Sequence, residues 1–520
     1  MNTDLLAWDE ALTIDSEEEY QALLNGLKRS HGFGLYFVQC SPFSSGKLIK
    51  RVHNDLTDQT VNVLKFEQPI ADGNVFRRVN VFLQAQPSEV LFVQGLETSL
   101  VDAEETKKRL DWTEEKVEKL NWREVPPVLN NLNQQRERFR DTFSNTCLVF
   151  LLPQYAIDYM VHRSPDFFDW RSGLFQYASE PSTLALESAR ILAEGDYDAY
   201  CTWSLEERNQ RLLEIQALTE EVSENLDNLY FEQGLIFAAG EEYESSVRSF
   251  EKTIIINPYS HEALYNKGLV LSNLGRYEEE IAAYDAALAI KPDDAALYNK
   301  GFALSNLGRY EEAITAYDAA LAIKPDDAAL YNKGFALSNL GRYEEAIAAY
   351  DAALAIKPDD AALYNKGFAL DELGRYEEAI AAYDAALAIK PDDTVLNNKG
   401  IALRKLGRYE EAIAAYDAAL AIKPDKHEAL ENKGLALNNL SRYQEALIAY
   451  DAAITIKPNS SNTFYNKACC YGLQGQLEPA LENLTRAIEL SPDENRELAR
   501  MDTDFAPIRD GPRFQALLEE

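Results

Sequence analysis

The sequence predicts two architectures on one chain: an α/β domain with a mostly parallel sheet, then an all-α solenoid of stacked helical hairpins. Three observations predict it. Up to residue 180, short β-rich runs alternate with amphipathic helical segments, the pattern of a sheet covered by helices. From Gly234 onward a two-helix unit recurs, and a period of roughly 20–50 residues marks a solenoid or an array. At 520 residues, 46% hydrophobic and 11% aromatic, the chain is too long for one ordinary core and too apolar for disorder. The expected divisions are 1–180 (α/β), 181–224 (a helical linker), 225–494 (the repeats) and 495–520 (a terminal cap).

In the first division, Ser16 and Glu19 read as a capping box opening a helix that runs to Arg29. Strands are expected at Gly34–Gln39, Val61–Phe66, Val90–Gln94 and Cys147–Leu152, with helices near 47–56, 75–85, 104–120 and 131–145. Between the first strand and its helix lies Ser41-Pro42-Phe43-Ser44-Ser45-Gly46-Lys47-Leu48. This segment resembles a P-loop, in which backbone N–H groups cradle phosphates and a Lys reaches them. Ser41 stands where the first Gly belongs, and Leu48 where a magnesium-binding hydroxyl belongs. VLFVQGLE (90–97) is similar to the second nucleotide motif, with Gln94 in place of the metal-binding Asp. Neutral Gln and apolar Leu cannot hold Mg²⁺.

The order VLFVQGLE, LNQQRERFR (132–140), CLVFLLP (147–153), PDFFDWRSGLF (165–175) resembles the N-terminal domains of bacterial STAND-type signalling NTPases. The resemblance implies a degenerate P-loop NTPase-like domain that does not hydrolyse nucleotide. It leaves two readings of Gly46 and Lys47: binding of ATP without hydrolysis, or the start of an ordinary helix after a strand. The helical run Ser204–Ser223 then joins this domain to the repeats.

Related units start at Gly234, Gly268, Gly301, Gly334, Gly367, Gly400, Gly434 and Ala468, which makes eight. In the first helix of the third unit, Leu297, Gly301 and Leu304 fall on one face, and Gly308 ends the helix. In its second helix Ala313, Tyr317, Ala320 and Leu321 share a face, and Pro325 follows the end. One hairpin cannot bury its apolar side alone, so neighbours must stack. The set Leu297, Gly301, Tyr310, Ala313, Tyr317, Ala320, Pro325 resembles the tetratricopeptide signature, which implies a right-handed superhelix. Departures are Glu280 and Ser246 at the Ala313 position, Ser441 at that of Gly308, and Ala468 at that of Gly301.

From the Gly301-type residue to the Pro325-type residue is always 24 positions. From that Pro to the next Gly is 10 at Pro258, Pro424 and Pro458, but 9 at Pro292, Pro325, Pro358 and Pro391. Deleting a residue inside a helix would rotate all that follows by roughly 100°. The missing residue therefore belongs in the turn between hairpins, and four joints should be tighter.

Asn299, Phe302 and Asn306 form a stripe on the first helix distinct from the buried one, with Tyr298, Phe302 and Ser305 beside it. The family resemblance implies that first helices line a concave groove, so these residues are expected to face a partner. The asparagine recurs as Asn266, Asn299, Asn332, Asn365, Asn398, Asn432 and Asn466, with Tyr331, Tyr364, Phe335 and Phe368 extending the aromatic row. It is similar to the asparagine ladder of the tetratricopeptide enzyme that attaches N-acetylglucosamine to protein hydroxyls. A carboxamide offers both a donor and an acceptor to a peptide unit. The other reading is that the amides bond neighbouring helices. The lysine row (Lys267, Lys300, Lys333, Lys366, Lys399, Lys433, Lys467) is expected to offset nearby Asp and Glu. Phe505, Ile508, Phe514 and Leu517 are expected to cover the last hairpin.

A formal charge of −35 repels phosphates and anionic lipid, which argues against nucleic-acid or membrane partners. The N-terminus lacks the basic start and apolar run of a signal peptide, so a soluble, cytoplasmic protein is expected. Five cysteines without framework spacing read as small buried thiols, and five scattered histidines offer no metal-ligand spacing. No nucleophile, acid–base pair or metal cluster supports an enzyme. The expected function is a scaffold that holds a protein or peptide segment in the groove, with a regulatory N-terminal domain. The alternative is a signalling ATPase whose repeats act as sensor. The sequence leaves the oligomeric state open.

Overall fold

The computed structural model describes residues 16–100 and 126–519; the expected helix near 104–120 lies outside them. The chain divides into two compact units, the first ending at Lys291 and the second starting at Pro292, so the division falls inside the run of hairpins.

In the first unit, five strands form one parallel sheet in the order β2-β3-β4-β1-β5. They are β1 (Gly34–Gln39), β2 (Val61–Lys65), β3 (Val90–Gln94), β4 (Cys147–Leu152) and β5 (Gly173–Gln176). The four expected strands appear within one residue of their expected ends. The central strands are unbroken apolar runs, and all six residues of β4 are buried, as a sheet covered on both faces requires. Helices α1 (Ser16–Arg29) and α2 (Pro42–Asp55) cover one face, burying Leu27, Leu48 and Val52 against Val38, Phe92 and Val149. The other face carries α3 (Val75–Ala85), α4 (Glu97–Leu100), α5 (Pro127–Thr142), α6 (Gln154–Arg163) and α7 (Pro165–Phe168), around Phe37, Phe139, Phe150 and Phe167.

The carboxylate of Glu19 accepts the backbone N–H of Gln176 at 3.1 Å and so ties α1 to the edge strand β5. A capping box does form at Ser204 and Glu207, opening α10 (Leu205–Thr219). With α8 (Pro181–Glu194) and α9 (Tyr197–Thr202), α10 makes up a helical layer over the segment expected to be a helical linker. Ile191, Tyr200, Ile215 and Leu218 bury against Leu229 and Phe237 of the first hairpin.

Eight hairpins follow, each with an A helix and a B helix, from Leu226–Ala239 with Tyr243–Ile256 to Ser461–Leu473 with Leu477–Leu490. Two belong to the first unit and six to the second. Each A helix closes on a left-handed residue. In the third hairpin this is Gly308 (φ +71°), with Arg309 N–H reaching back to Leu304 O at 2.9 Å. Ser441 adopts φ +59° at the same place, so its substitution leaves the turn intact.

The joints differ as the spacing requires. Three residues separate Ile323 from Asp327, Ile356 from Asp360 and Ile389 from Asp393, whereas four separate Ile256 from His261, Ile422 from His427 and Ile456 from Ser461. The short joints run extended into an Asp cap; Asp326, for example, accepts the Ala329 N–H at 2.8 Å. The long joints insert a turn, with Ser460 N–H bonded to Lys457 O. After the last hairpin, Phe505, Ile508, Phe514 and Leu518 bury against Leu481 and Leu484, with Leu517 partly buried beside them, forming the expected cap.

Candidate groove on the first helices

In seven of the eight A helices a mid-helix glycine is buried because the facing B-helix ring occupies its Cβ space. A Cβ on Gly334 would stand 2.6 Å from Cε1 of Tyr350, and one on Gly301 the same distance from Tyr317. Burial pushes the Tyr350 hydroxyl up to about 12, opposed by its hydrogen bond with Ser338. The last hairpin explains its own exception: Leu484 replaces the ring, which makes room for the Cβ of Ala468, and both lie in one core cluster.

This packing fixes the opposite side of each A helix. Phe302, Phe335 and Phe368 occupy one position in three successive hairpins of the second unit and remain 44%, 44% and 40% exposed. Tyr298, Tyr331 and Tyr364 are half-buried beside them, with ring centroids about 6 Å from the B-helix tyrosines. Asn306 is exposed, while its equivalent Asn339 bends back to Phe335 O of its own helix at 2.9 Å.

The asparagine ladder is present, and its amides link hairpins. Asn332 Nδ2 donates to Tyr298 Oη at 3.0 Å, Asn365 to Tyr331 at 2.9 Å and Asn398 to Tyr364 at 3.1 Å. Where the tyrosine is replaced, another acceptor takes its place: Asn432 donates to Asn397 Oδ1 at 3.1 Å, and Asn466 to Glu431 Oε1 at 3.0 Å. Asn266 instead bonds Glu262 O within its own helix, and Asn299 sits half-buried at the equivalent position. Each Asn–Tyr rung leaves the amide oxygen as an acceptor and the phenolic O–H as a donor. Burial raises the pKa of Tyr298, Tyr331 and Tyr364, against the Asn hydrogen bonds, which keeps those protons in place.

The lysine row is spent on carboxylates, as expected. Lys333 pairs with Asp318 and Lys366 with Asp351, each at 2.5 Å, and Lys433 with Asp417 at 2.6 Å. That leaves the A-helix stripe of hairpins three and four aromatic and amide in character.

Gly46 and Lys47 are placed differently from the phosphate-loop reading. Helix α2 starts at Pro42, with Ser41 at the N-cap position, so both residues lie inside a helix and not in a cradling loop. Lys47 Nζ is held by Glu180 at 2.9 Å and Thr183 at 2.6 Å. Leu48 is fully buried in the core under α2. Of the five cysteines, Cys201 is exposed and the other four are buried, all as free thiols. Among the described residues, no helix is long and apolar enough to cross a membrane.

Comparisons with known proteins agree with the hairpins. One tetratricopeptide repeat model matches residues 231–295, 298–361, 331–394 and 397–461, and a second such model matches 461–494. An uncharacterized protein of Methanocaldococcus jannaschii is 34% identical over 62 residues, covering 12% of this chain and 72% of that protein. Among solved structures, YrrB, described as a TPR protein with an unusual peptide-binding site, is 28% identical with a TM-score of 0.31. That match covers 34% of this chain and 93% of YrrB. A tetratricopeptide repeat protein from Parabacteroides merdae is 20% identical with a TM-score of 0.37, covering 46% and 97%. Such repeats generally serve as protein-interaction scaffolds. With signature residues, hairpin geometry and family models in agreement, the chain belongs to the tetratricopeptide repeat family.

Proposed function

We propose that the A-helix face of the second unit captures an extended peptide segment of a partner protein. One observation carries this reading: Phe302, Phe335 and Phe368 stand exposed in register on three successive hairpins, beside rungs that each offer a donor and an acceptor. Repeated aromatic side chains give rigid, amphipathic contact area, and the amides and hydroxyls suit a peptide backbone whatever its side chains. The formal charge of −35 favours a segment that is basic between its apolar anchors. In this reading the α/β unit regulates capture without hydrolysing nucleotide, because Gln94 and the buried Leu48 supply no magnesium ligands. The setting is the cytoplasm of a bacterial cell.

A random peptide library displayed on phage, panned on the full-length chain, tests the proposal. Enrichment of peptides with spaced apolar residues supports it. No enrichment, or enrichment that persists on the Phe302→Ser/Phe335→Ser/Phe368→Ser variant, overturns it.

A further inference from the structure

In an open parallel sheet, ligands bind outside the carboxyl ends of the strands, where the strand order reverses. Here the chain leaves β1 for the far edge at β2, steps inward through β3 to β4, and then places β5 on the other side of β1. A cavity of about 340 Å³ lies at those carboxyl ends, lined by Cys40 after β1, Lys65 at the end of β2, and Gln94 and Glu97 after β3. Gln210 of α10 also lines it. Its size falls in the range of small-molecule sites, roughly 300–1,000 Å³.

Glu97 is the anomaly in this cavity. It is 9% exposed, and among the described residues its Oε2 has no hydrogen-bond partner. The turn that delivers it is built for the purpose. Gly95 adopts φ +77°, and a Cβ there would meet Phe66 O at 2.0 Å, so only glycine fits. Thr98 locks the turn by donating to Gly95 O at 2.8 Å, while Leu96 is fully buried in the core. Burial pushes the Glu97 carboxyl up to about 7, although backbone hydrogen bonds at Glu97 and Gly95 and the charge of Lys65 act in the opposite direction. A buried acceptor without a donor is costly, and native structures keep few of them without a functional reason.

We infer that this cavity binds a small organic cation carrying an ammonium or guanidinium group, which donates to Glu97. Among the described residues the ionisable groups lining it are Glu67 and Glu97 against the single ammonium of Lys65, and that ammonium already lies 3.9 Å from the Glu67 carboxylate, which disfavours a phosphate. Lys47, on α2, is held by Glu180 and Thr183. Gln94 and Gln210 supply amides that orient the rest of the molecule.

Calorimetric titration of the full-length chain with agmatine, putrescine, ATP and inorganic phosphate tests the inference. Agmatine or putrescine should give a saturable one-site isotherm. Glu97→Gln, which keeps the side-chain shape, should weaken it by about tenfold or more. Gln210→Arg, on the exposed surface of α10, should weaken it as well by placing a competing guanidinium at the cavity, and it leaves the core untouched. Absence of amine binding, equal binding by Glu97→Gln, or saturable binding of phosphate or ATP in place of the amines would each overturn the assignment.

Discussion

The side-chain amide of Asn365 donates to the hydroxyl of Tyr331, 34 positions earlier, at 2.9 Å. This contact ties the A helix of one hairpin to that of the one before, and it recurs from Asn332 to Tyr298 and from Asn398 to Tyr364. Asn365→Ala should therefore destabilise the stack by about 1 kcal/mol. A double-mutant cycle with Tyr331→Phe, read by urea unfolding, should give a coupling of about 0.5–1.5 kcal/mol. Additive effects would mean that the rung contributes nothing to the stack.

Two glycines of the fourth hairpin should respond to alanine for different reasons. In a helix interior, Gly→Ala ordinarily stabilises by about 1 kcal/mol. At Gly334 the sign should reverse, because the new Cβ meets the Tyr350 ring at 2.6 Å, and overpacking costs about 1–3 kcal/mol. Combining it with Tyr350→Leu should recover part of the loss, as Leu484 does opposite Ala468. At Gly341 nothing lies within 4 Å, but φ is +72°, so alanine there should cost about 1–2 kcal/mol through strain alone and no partner mutation should rescue it. Thermal melts of the three variants separate these causes.

Glu280 occupies the position of Ala313, is 1% exposed, and among the described residues its Oε2 has no hydrogen-bond partner. Burial lifts its pKa from the usual 4.5 to about 7, against a hydrogen bond from Ser272. The folded chain thus holds a proton that the unfolded chain has released across that window. The stabilising effect of that proton is complete below the unfolded pKa and is lost as pH rises through the folded one. Glu280→Ala should raise stability at ~pH 8 by about 1–3 kcal/mol. The gain should shrink toward ~pH 5, where the wild-type carboxyl regains its proton. Denaturant midpoints at the two pH values give the answer; a gain that grows on acidification would contradict the assignment.

Lys47 should prove to be a surface ion-pair residue. Its side chain is 48% exposed against Glu180 at 62%, so Lys47→Ala should cost no more than about 1 kcal/mol. Millimolar ATP with Mg²⁺ should leave the melting temperature of wild type and variant unchanged. A rise in wild type that Lys47→Ala abolishes would restore the phosphate-loop reading.

The repeats were legible because each hairpin restates its own packing rule, and the glycine–tyrosine contact appears in sequence as a fixed spacing. The joints were legible for the same reason, since a residue could be lost only where no helix would be rotated. The parallel strands showed as apolar runs. Strand β5 did not, because GLFQ is short and only partly buried, and it is held by pairing with β1 that no local pattern announces. The start of α2 was misplaced because Ser44, Ser45 and Gly46 look like loop residues. Pro42 at the first turn, a hydrogen bond between the Ser41 and Ser179 hydroxyls and one from the Ser44 hydroxyl to Ser179 suit a helix instead. Sequence spacing identified the asparagine ladder but not its partners, because the Tyr hydroxyl that each amide meets belongs to the preceding hairpin. The exposed row Ile323, Ile356, Ile389 and Ile422 at the B-helix ends went unread as well.

That isoleucine row provides the control for the most direct test of peptide capture on the A-helix face. The measurement is the dissociation constant of a library-selected peptide for wild type, for Phe302→Ser/Phe335→Ser/Phe368→Ser and for Ile323→Ser/Ile356→Ser/Ile389→Ser, with equal circular dichroism required of all three. Loss of the phenylalanines should weaken binding by about tenfold or more, while loss of the isoleucines should leave it unchanged. Unchanged binding in the phenylalanine variant, with weakened binding in the isoleucine variant, would contradict capture on the first helices.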